Sequence, residues 1–168
     1  MSTEEHKADA PRSVRVAIIS VSSTRSLDED KSGHWIGRRA IREGHQVVSH
    51  VVVPDEVGAI REALDEARRN HAAQVILVTG GTGISRLDVT IEAVRPLFEK
   101  ELTSFGILFT QLSFDEIDSA AMLSRATAGV VGDGVVFCMP GSLKACKLAC
   151  RELIFPELGH LVRHLTRG

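Results

Sequence analysis

The 168-residue sequence lacks any apolar run approaching the ~20 residues that a membrane-spanning helix needs. Its polar start, Met1 to Arg12, has no hydrophobic stretch of the kind a secretory signal carries. That segment reads as a disordered tail (1–12) ahead of one folded unit (13–168). Cysteine is scarce: Cys138, Cys146 and Cys150 are an odd set with no Cys-x-x-Cys spacing. This argues against a disulfide framework and against a structural zinc site. The three read instead as small buried apolar side chains, and reduced thiols fit a cytoplasmic protein. Excess charge is lacking too, since 20 Lys and Arg against 22 Asp and Glu leave a net charge of −2. Nothing in that balance calls for a nucleic acid or a membrane surface as partner. Repeats and low-complexity segments are absent. His34, His45, His50 and His71 show no metal-ligand spacing, so no role is assigned to them.

What is present is an alternation of strands and helices. Val14–Ser20, Gln46–Val53 and Gln74–Thr79 are β-branched runs of the kind found in strands covered on both faces. Between them, Trp35, Ile36, Ala40 and Ile41 form a helical stripe closed by Gly44. Val57, Ile60, Ala63, Leu64 and Ala67 form a second. Thr90 is placed to cap a third helix that Pro96 ends. Leu102 to Met122 reads as a helix, a loop around Ser113, and another helical piece. Ala126–Val131 and Val135–Met139 flank Gly132-Asp133-Gly134, a hairpin signal, so one of the two strands runs antiparallel. Ser142 caps a helix bearing Leu143, Cys146, Ala149, Cys150 and Leu153, Pro156 interrupts it, and Leu158 to Leu165 add a last helical stretch. The expected fold is a three-layer α/β/α sandwich with a mostly parallel sheet and one antiparallel strand. A chain this long buries roughly 70% of its unfolded surface and needs no metal to fold.

Ligands of such sheets bind beyond the carboxyl ends of the parallel strands. Four segments fall there: the Ser20–Gly33 loop, Pro54-Asp55-Glu56, the Gly80–Thr90 loop and Pro140-Gly141-Ser142. Gly80, Gly81 and Gly83 let backbone N–H groups approach an anion, and Thr82 and Ser85 add hydroxyls. The loop is neither a Walker A loop nor a dinucleotide fingerprint, and alone it is a tight turn more often than a site. Ser142 and the helix carrying Lys144 and Lys147 are a second anion candidate. Asp55 and Asp88 could hold Mg²⁺ on a nucleotide, or serve only as turn and cap carboxylates. For Val135–Met139 to bring the two glycine loops together, it must run parallel to Gln74–Thr79, with Ala126–Val131 antiparallel.

These spaced segments resemble the MoaB/MogA family of molybdenum-cofactor biosynthesis, and MoaB most. The resemblance rests on Thr79-Gly80-Gly81-Thr82-Gly83, Asp88-Val89-Thr90 with Glu92-Ala93, and Met139-Pro140-Gly141-Ser142 with Lys144-Ala145. It extends to Asp30-Lys31-Ser32-Gly33-His34, Leu112 to Ile117 and Leu123 to Ala126. It covers about Val14 to Leu158. The resemblance implies molybdopterin binding and joining of molybdopterin to AMP with Mg-ATP, releasing pyrophosphate. It also implies a trimer or hexamer, and other proteins of the pathway as partners. A non-catalytic molybdopterin carrier or scaffold is the alternative.

By position, the resemblance makes Asp55 and Asp88 the catalytic and Mg²⁺-supporting carboxylates. It makes Gly80, Gly81, Thr82 and Gly83 the phosphate loop. Pro140, Gly141, Ser142 and Lys144 become the pterin-phosphate side, and Ser22 and Arg25 a first-loop contact. Ser23 stands where many relatives carry Asp or Asn, and Ile91 where Pro is frequent. The apolar stretch Phe105, Ile107, Leu108, Phe109, Leu112 and Phe114 is expected at an interface or in an internal core helix.

Overall fold

The computed structural model describes residues 12–166; the expected N-terminal tail lies outside the described residues apart from Arg12. The strands are β1 (Arg15–Val21), β2 (Gln46–Val53), β3 (Val75–Thr79), β4 (Lys100–Glu101), β5 (Thr127–Val131) and β6 (Gly134–Met139). The helices are α1 (Lys31–Arg42), α2 (Val57–Arg69), α3 (Thr90–Val94), α4 (Thr103–Ile117), α5 (Leu143–Ala149) and α6 (Leu158–Thr166). One six-stranded sheet has the order β2-β1-β3-β6-β5-β4. β1, β2, β3 and β6 are mutually parallel, and β5 pairs antiparallel with both β6 and β4. The expected parallel pairing of β3 with β6 holds in register from Val75↔Val135 to Thr79↔Met139.

The sheet is buried on both faces, and the alternation of each strand divides its side chains between two cores. Val16 and Ile18 of β1, Val75 and Leu77 of β3, and Val135, Phe137 and Met139 of β6 face α1, α4, α5 and α6. Ala17, Ile19, Ile76, Val78, Val136 and Cys138 face the other way, against Ile60 and Leu64 of α2 and Ile91 of α3. Each of the larger side chains contributes about 1.5–3 kcal/mol by leaving water. All of β3 and β6 is buried, whereas β2 at the sheet edge is half exposed. The three cysteines are free and buried, as expected, and burial pushes the Cys138 and Cys146 thiols up to about 12.

Two expectations need correction, and one strand was not expected. Leu102 to Met122 has no loop at Ser113, because α4 runs unbroken to Ile117 before a 3₁₀ turn over Asp118–Leu123. Phe105, Phe109 and Ser113 form its buried stripe at four-residue spacing. Exposed Ile107, Leu108 and Phe114 make the helix apolar on its other sides as well, which masked the period. Thr90 does not cap α3: it is the first helical residue, and its hydroxyl donates to the Gly80 carbonyl at 2.8 Å. Strand β4 was not anticipated, since Lys100–Glu101 is too short to show a pattern and exists through pairing with β5. By contrast, Gly44 (φ +90°) follows α1 and Ser142 caps α5, as read. The Ser142 helix gives way to a π turn at Cys150–Ile154, and Pro156 sits in the next 3₁₀ turn. Proline cannot donate to the residue four back, and the wider turn accommodates it.

Candidate functional site

Because β3 and β6 end in register, Gly80 and Pro140 leave the sheet side by side. The Gly80 N–H donates to the Met139 carbonyl at 3.0 Å. A Cβ on Gly141 would lie 3.2 Å from the Gly80 Cα, so the two loops touch backbone to backbone. Gly80 (φ +89°) and Gly81 (φ +65°) are in the left-handed region. A Cβ on Gly80 would strike the Val21 carbonyl, and one on Gly81 would strike the Thr90 hydroxyl. Only glycine fits this crossing of three chain segments.

The loop's carbonyls are all committed to protein donors. Thr90 Oγ1 reaches Gly80 O and Thr90 N reaches Gly81 O at 3.0 Å. Arg125 N donates to Thr82 O at 2.9 Å and Arg125 Nε to Gly83 O at 2.8 Å. The N–H groups of Gly81, Thr82 and Gly83 donate to none of the described residues. A loop with its carbonyls turned away and its N–H groups uncommitted is polarised toward an anion. Arg125 extends the clamp with Nη2 on the Asp88 carbonyl at 3.1 Å, and its guanidinium pairs with Glu92. The hydrogen bond from Arg125 holds the Glu92 carboxyl below its usual range.

Asp88 closes the loop as a turn carboxylate. Its Oδ2 accepts from Ser85 N at 2.8 Å, while Asp88 N donates to Ser85 O at 3.1 Å. Its Oδ1 takes no hydrogen bond from the described residues. Gly81, Thr82, Gly83, Asp88, Pro140, Gly141 and Ser142 line one wall of a cavity of about 320 Å³. The opposite wall is largely apolar and comes from α4 and the turn after it, through Phe109, Ser113, Ile117 and Leu123. Seven of the residues singled out in the sequence thus share one cavity, and Gly80 lies directly behind them.

The remaining candidates lie elsewhere. Ser22 and Arg25 border a separate hollow beside His50 and Pro54, at the ends of β1 and β2. Asp55 is bridged by Ser23, whose N–H and hydroxyl donate to Oδ2 at 2.9 and 2.7 Å and whose Oγ accepts from Asp55 N at 3.0 Å. Ser23 therefore occupies one Asp55 oxygen. Lys144 projects from α5 toward Glu116 at 3.4 Å and borders a small hollow outside the main cavity. Among the described residues, no group of three or more His, Cys, Asp or Glu is gathered to hold a metal. No helix among them is long and apolar enough to cross a membrane.

Sequence reasoning missed a buried polar network beneath the rim. Asp30, fully buried, caps α1 by accepting from Gly33 N at 3.0 Å. Its Oδ2 also accepts from the Ser20 hydroxyl and contacts His50 Nε2 at 2.7 Å. Thr79 donates to Ser20 at 3.2 Å, so the chain of hydrogen bonds joins the ends of β1 and β3 to the start of α1. Burial pushes the Asp30 carboxyl up, but the hydrogen bonds from Ser20, Gly33 and His50 outweigh it and hold the group below its ordinary value. Ser32 on the next turn donates to the Gly141 carbonyl at 2.8 Å, tying α1 to the second glycine loop. An Asp three residues before a Gly, at the start of a helical stripe, was the available signal for the cap. Arg125 gave none.

Comparison with known proteins agrees with this geometry. Residues 17–160 match the family described as "Probable molybdopterin binding domain". The chain is 45% identical over 168 residues to molybdenum cofactor biosynthesis protein B of Bacillus cereus, covering 99% of both chains. Among solved structures, one of a molybdenum cofactor biosynthesis protein B superposes with a TM-score of 0.91 at 45% identity, over 95% of this chain and 100% of that one. The tungsten cofactor synthesizing protein MoaB from Pyrococcus furiosus gives 0.85 at 40% identity, over 93% and 99%.

Proposed function

Because this chain belongs to the MoaB/MogA family of molybdopterin-binding domain proteins in molybdenum-cofactor biosynthesis, we propose that it joins molybdopterin to AMP, using Mg-ATP. The observation that carries this reading is the single cavity shared by the polarised Gly81–Gly83 loop, Asp88 and Pro140–Ser142. In the reaction, a terminal phosphate oxygen of molybdopterin attacks the α-phosphorus of ATP, the new P–O bond forms, and pyrophosphate leaves. Catalysis of such a transfer is mostly positioning and charge stabilisation.

The N–H groups of Gly81, Thr82 and Gly83 bind the phosphate. Pro140, Gly141 and Ser142 form the pterin-phosphate side, and Phe109, Ile117 and Leu123 give a flat ring its apolar wall. Gly80 fixes the turn. Ser22, Arg25 and Asp55 extend the site along the rim, where the nucleotide lies. Lys144 contributes only by leaving Glu116. The residues fit Mg²⁺, which takes few oxygen ligands and retains water: Asp88 and Asp55 each keep Oδ1 outside the described hydrogen bonds. Bound with ATP at these two carboxylates, Mg²⁺ would neutralise phosphate charge.

A second reading, a molybdopterin-binding scaffold without catalysis, is favoured by one observation: Asp55 lies outside the cavity and is bridged by Ser23. Formation of adenylylated molybdopterin and pyrophosphate separates the two. The enzyme reading expects product from the wild type and a loss of about 100-fold or more in Asp88→Ala. No product from a wild type that still binds molybdopterin establishes the scaffold.

Exposed Ile107, Leu108 and Phe114 on α4 support a homo-oligomer, trimer or hexamer, and a monomer by light scattering would remove that reading. In this reading the protein acts in the cytoplasm with other proteins of the pathway, as a single unit spanning 13–168.

A further inference from the structure

Helices α1 and α5 pack together, and each begins at the rim of the cavity: Ser32 of α1 donates to the Gly141 carbonyl, and Ser142 caps α5. Lys31, Trp35, Arg38 and Arg42 follow one another at four-, three- and four-residue steps. They therefore form one stripe along α1, about 16 Å long. Ile36 and Ala40, which face the core, lie on the other side of the helix. From α5 and the π turn after it, Lys147 and Arg151 reach over the Trp35 ring, 5.8 and 5.3 Å from its centroid. Lys31, Arg38, Arg42 and Arg151 are exposed, and Trp35 and Lys147 are half-buried. Among the described residues, none of these five cations makes an ion pair, although their neighbours Arg39 and Lys144 do, with Glu43 and Glu116. A chain of net charge −2 thus gathers five unpaired cations around its one tryptophan.

We propose that this surface docks an acidic segment of a partner protein, with Trp35 at its centre and carboxylates meeting the cations on either side. Like charges gathered without counter-charges repel one another, and carboxylates one helical turn apart match the spacing of the α1 stripe. Tryptophan and arginine are the side chains that most often anchor protein interfaces. The cation–π contacts hold Lys147 and Arg151 in place before a partner arrives, so less freedom is lost on binding. A nucleic acid fits less well. Its bases need an open aromatic face to stack on, whereas the Trp35 ring carries two cations and packs against the core. A partner held here lies beside the cavity that Gly141 and Ser142 line, next to any ligand that enters or leaves it. The inference stands on this surface and not on the adenylyl transfer.

The test titrates the untagged full-length chain with a synthetic helical peptide of about 12 residues, three turns, with glutamates along one face and no tryptophan. Trp35 reports binding through its own fluorescence. The wild type should bind the peptide saturably, and less tightly as salt rises. The double variant Arg38→Glu with Arg151→Glu should bind at least about tenfold more weakly while keeping its circular dichroism. The control, Arg69→Glu with Lys100→Glu, carries the same net charge but alters exposed residues on α2 and on edge strand β4, and should bind as the wild type does. No saturable binding by the wild type would overturn the proposal, as would equal weakening in the control. So would tighter binding of an oligothymidylate of equal charge, which would make the surface a nucleic-acid site. A smaller assembly of the Arg38/Arg151 variant by light scattering would overturn it too, since a second copy would then be what covers the surface.

Discussion

The rim of the sheet is built in two ways. At the ends of β3 and β6, the backbone makes the site: Gly80 lies against Gly141, and the loop carbonyls are bonded to Thr90 and Arg125. At the ends of β1 and β2, exposed side chains make it, as Ser23 holds Asp55 and Ser22 and Arg25 border an open hollow. The first half is rigid because its parts are backbone at van der Waals contact. The second is adjustable, since hydrogen bonds between exposed groups exchange readily with water. In the proposed reaction, a rigid half suits the ligand whose phosphate must be held still, and an adjustable half suits a nucleotide that would enter and leave as pyrophosphate and product.

Breaking the rigid half should have the largest effect. Gly80→Ala combines a positive φ with a Cβ against the Val21 carbonyl, and neither partner is a flexible side chain. The expected loss is about 3 kcal/mol or more in urea denaturation, with loss of molybdopterin binding. A fully stable Gly80→Ala protein would show that the crossing is not tight. The corresponding change on the adjustable side, Ser23→Ala, removes exposed hydrogen bonds only and should cost less than about 1 kcal/mol.

The support beneath the two halves comes next. Asp30→Asn weakens an acceptor shared by Ser20, Gly33 N–H and His50, with an expected cost of about 2 kcal/mol at neutral pH. Its pH dependence has a fixed sign. The folded carboxyl is held below its unfolded value of about 3.9, so its contribution is fully present above that pH and is lost as pH falls through the lower folded value. Stability measured from neutral pH to below pH ~3 should therefore fall less steeply for Asp30→Asn than for the wild type. Parallel acid curves would mean that Asp30 titrates alike in both states.

Arg125→Lys sharpens the comparison at a middle magnitude. An ammonium cannot reproduce a guanidinium that meets Gly83 O, Asp88 O and Glu92 together. A stability loss of about 1–2 kcal/mol is expected. The larger change should be in molybdopterin affinity, because the clamp fixes the loop carbonyls that leave the N–H groups facing the cavity. An unchanged affinity would assign the loop's orientation to Thr90 and to the backbone N–H of residue 125, which bonds Thr82 O whatever its side chain.

These sites differ in how far the sequence showed them, and the reason is the span of the interaction. β1, β3 and β6 were legible because strands buried on both faces must be apolar throughout. The glycine loops were legible because a positive φ demands glycine locally. That they would share a cavity followed from one topological inference, the parallel pairing of β3 and β6. The cap that Asp30 gives Gly33 had a local signal, but the pairings of Asp30 with His50, 20 residues away, and of Arg125 with Gly83, 42 residues away, were not legible. No local pattern encodes such pairings. Lys144 shows the opposite error, since a lysine after a capping serine looks like a phosphate ligand, yet its exposed side chain pairs with Glu116.

Gly58 on α2 offers the smallest effect and a control for all the glycine arguments. A Cβ there would meet nothing within 4 Å, and the residue has no positive φ. In a helix, alanine is favoured over glycine by about 0.5–1 kcal/mol, chiefly because glycine loses more backbone freedom on folding. Gly58 lies in the first turn of α2, so the gain in Gly58→Ala should reach only the lower part of that range. It should appear as a raised urea midpoint with an unchanged m-value and unchanged ligand binding. The same substitution thus has opposite signs at Gly80 and Gly58. If Gly58→Ala were instead as damaging as Gly80→Ala, the loss at Gly80 would reflect a general sensitivity of the fold to added methyl groups, and the backbone crossing at the cavity would no longer explain it.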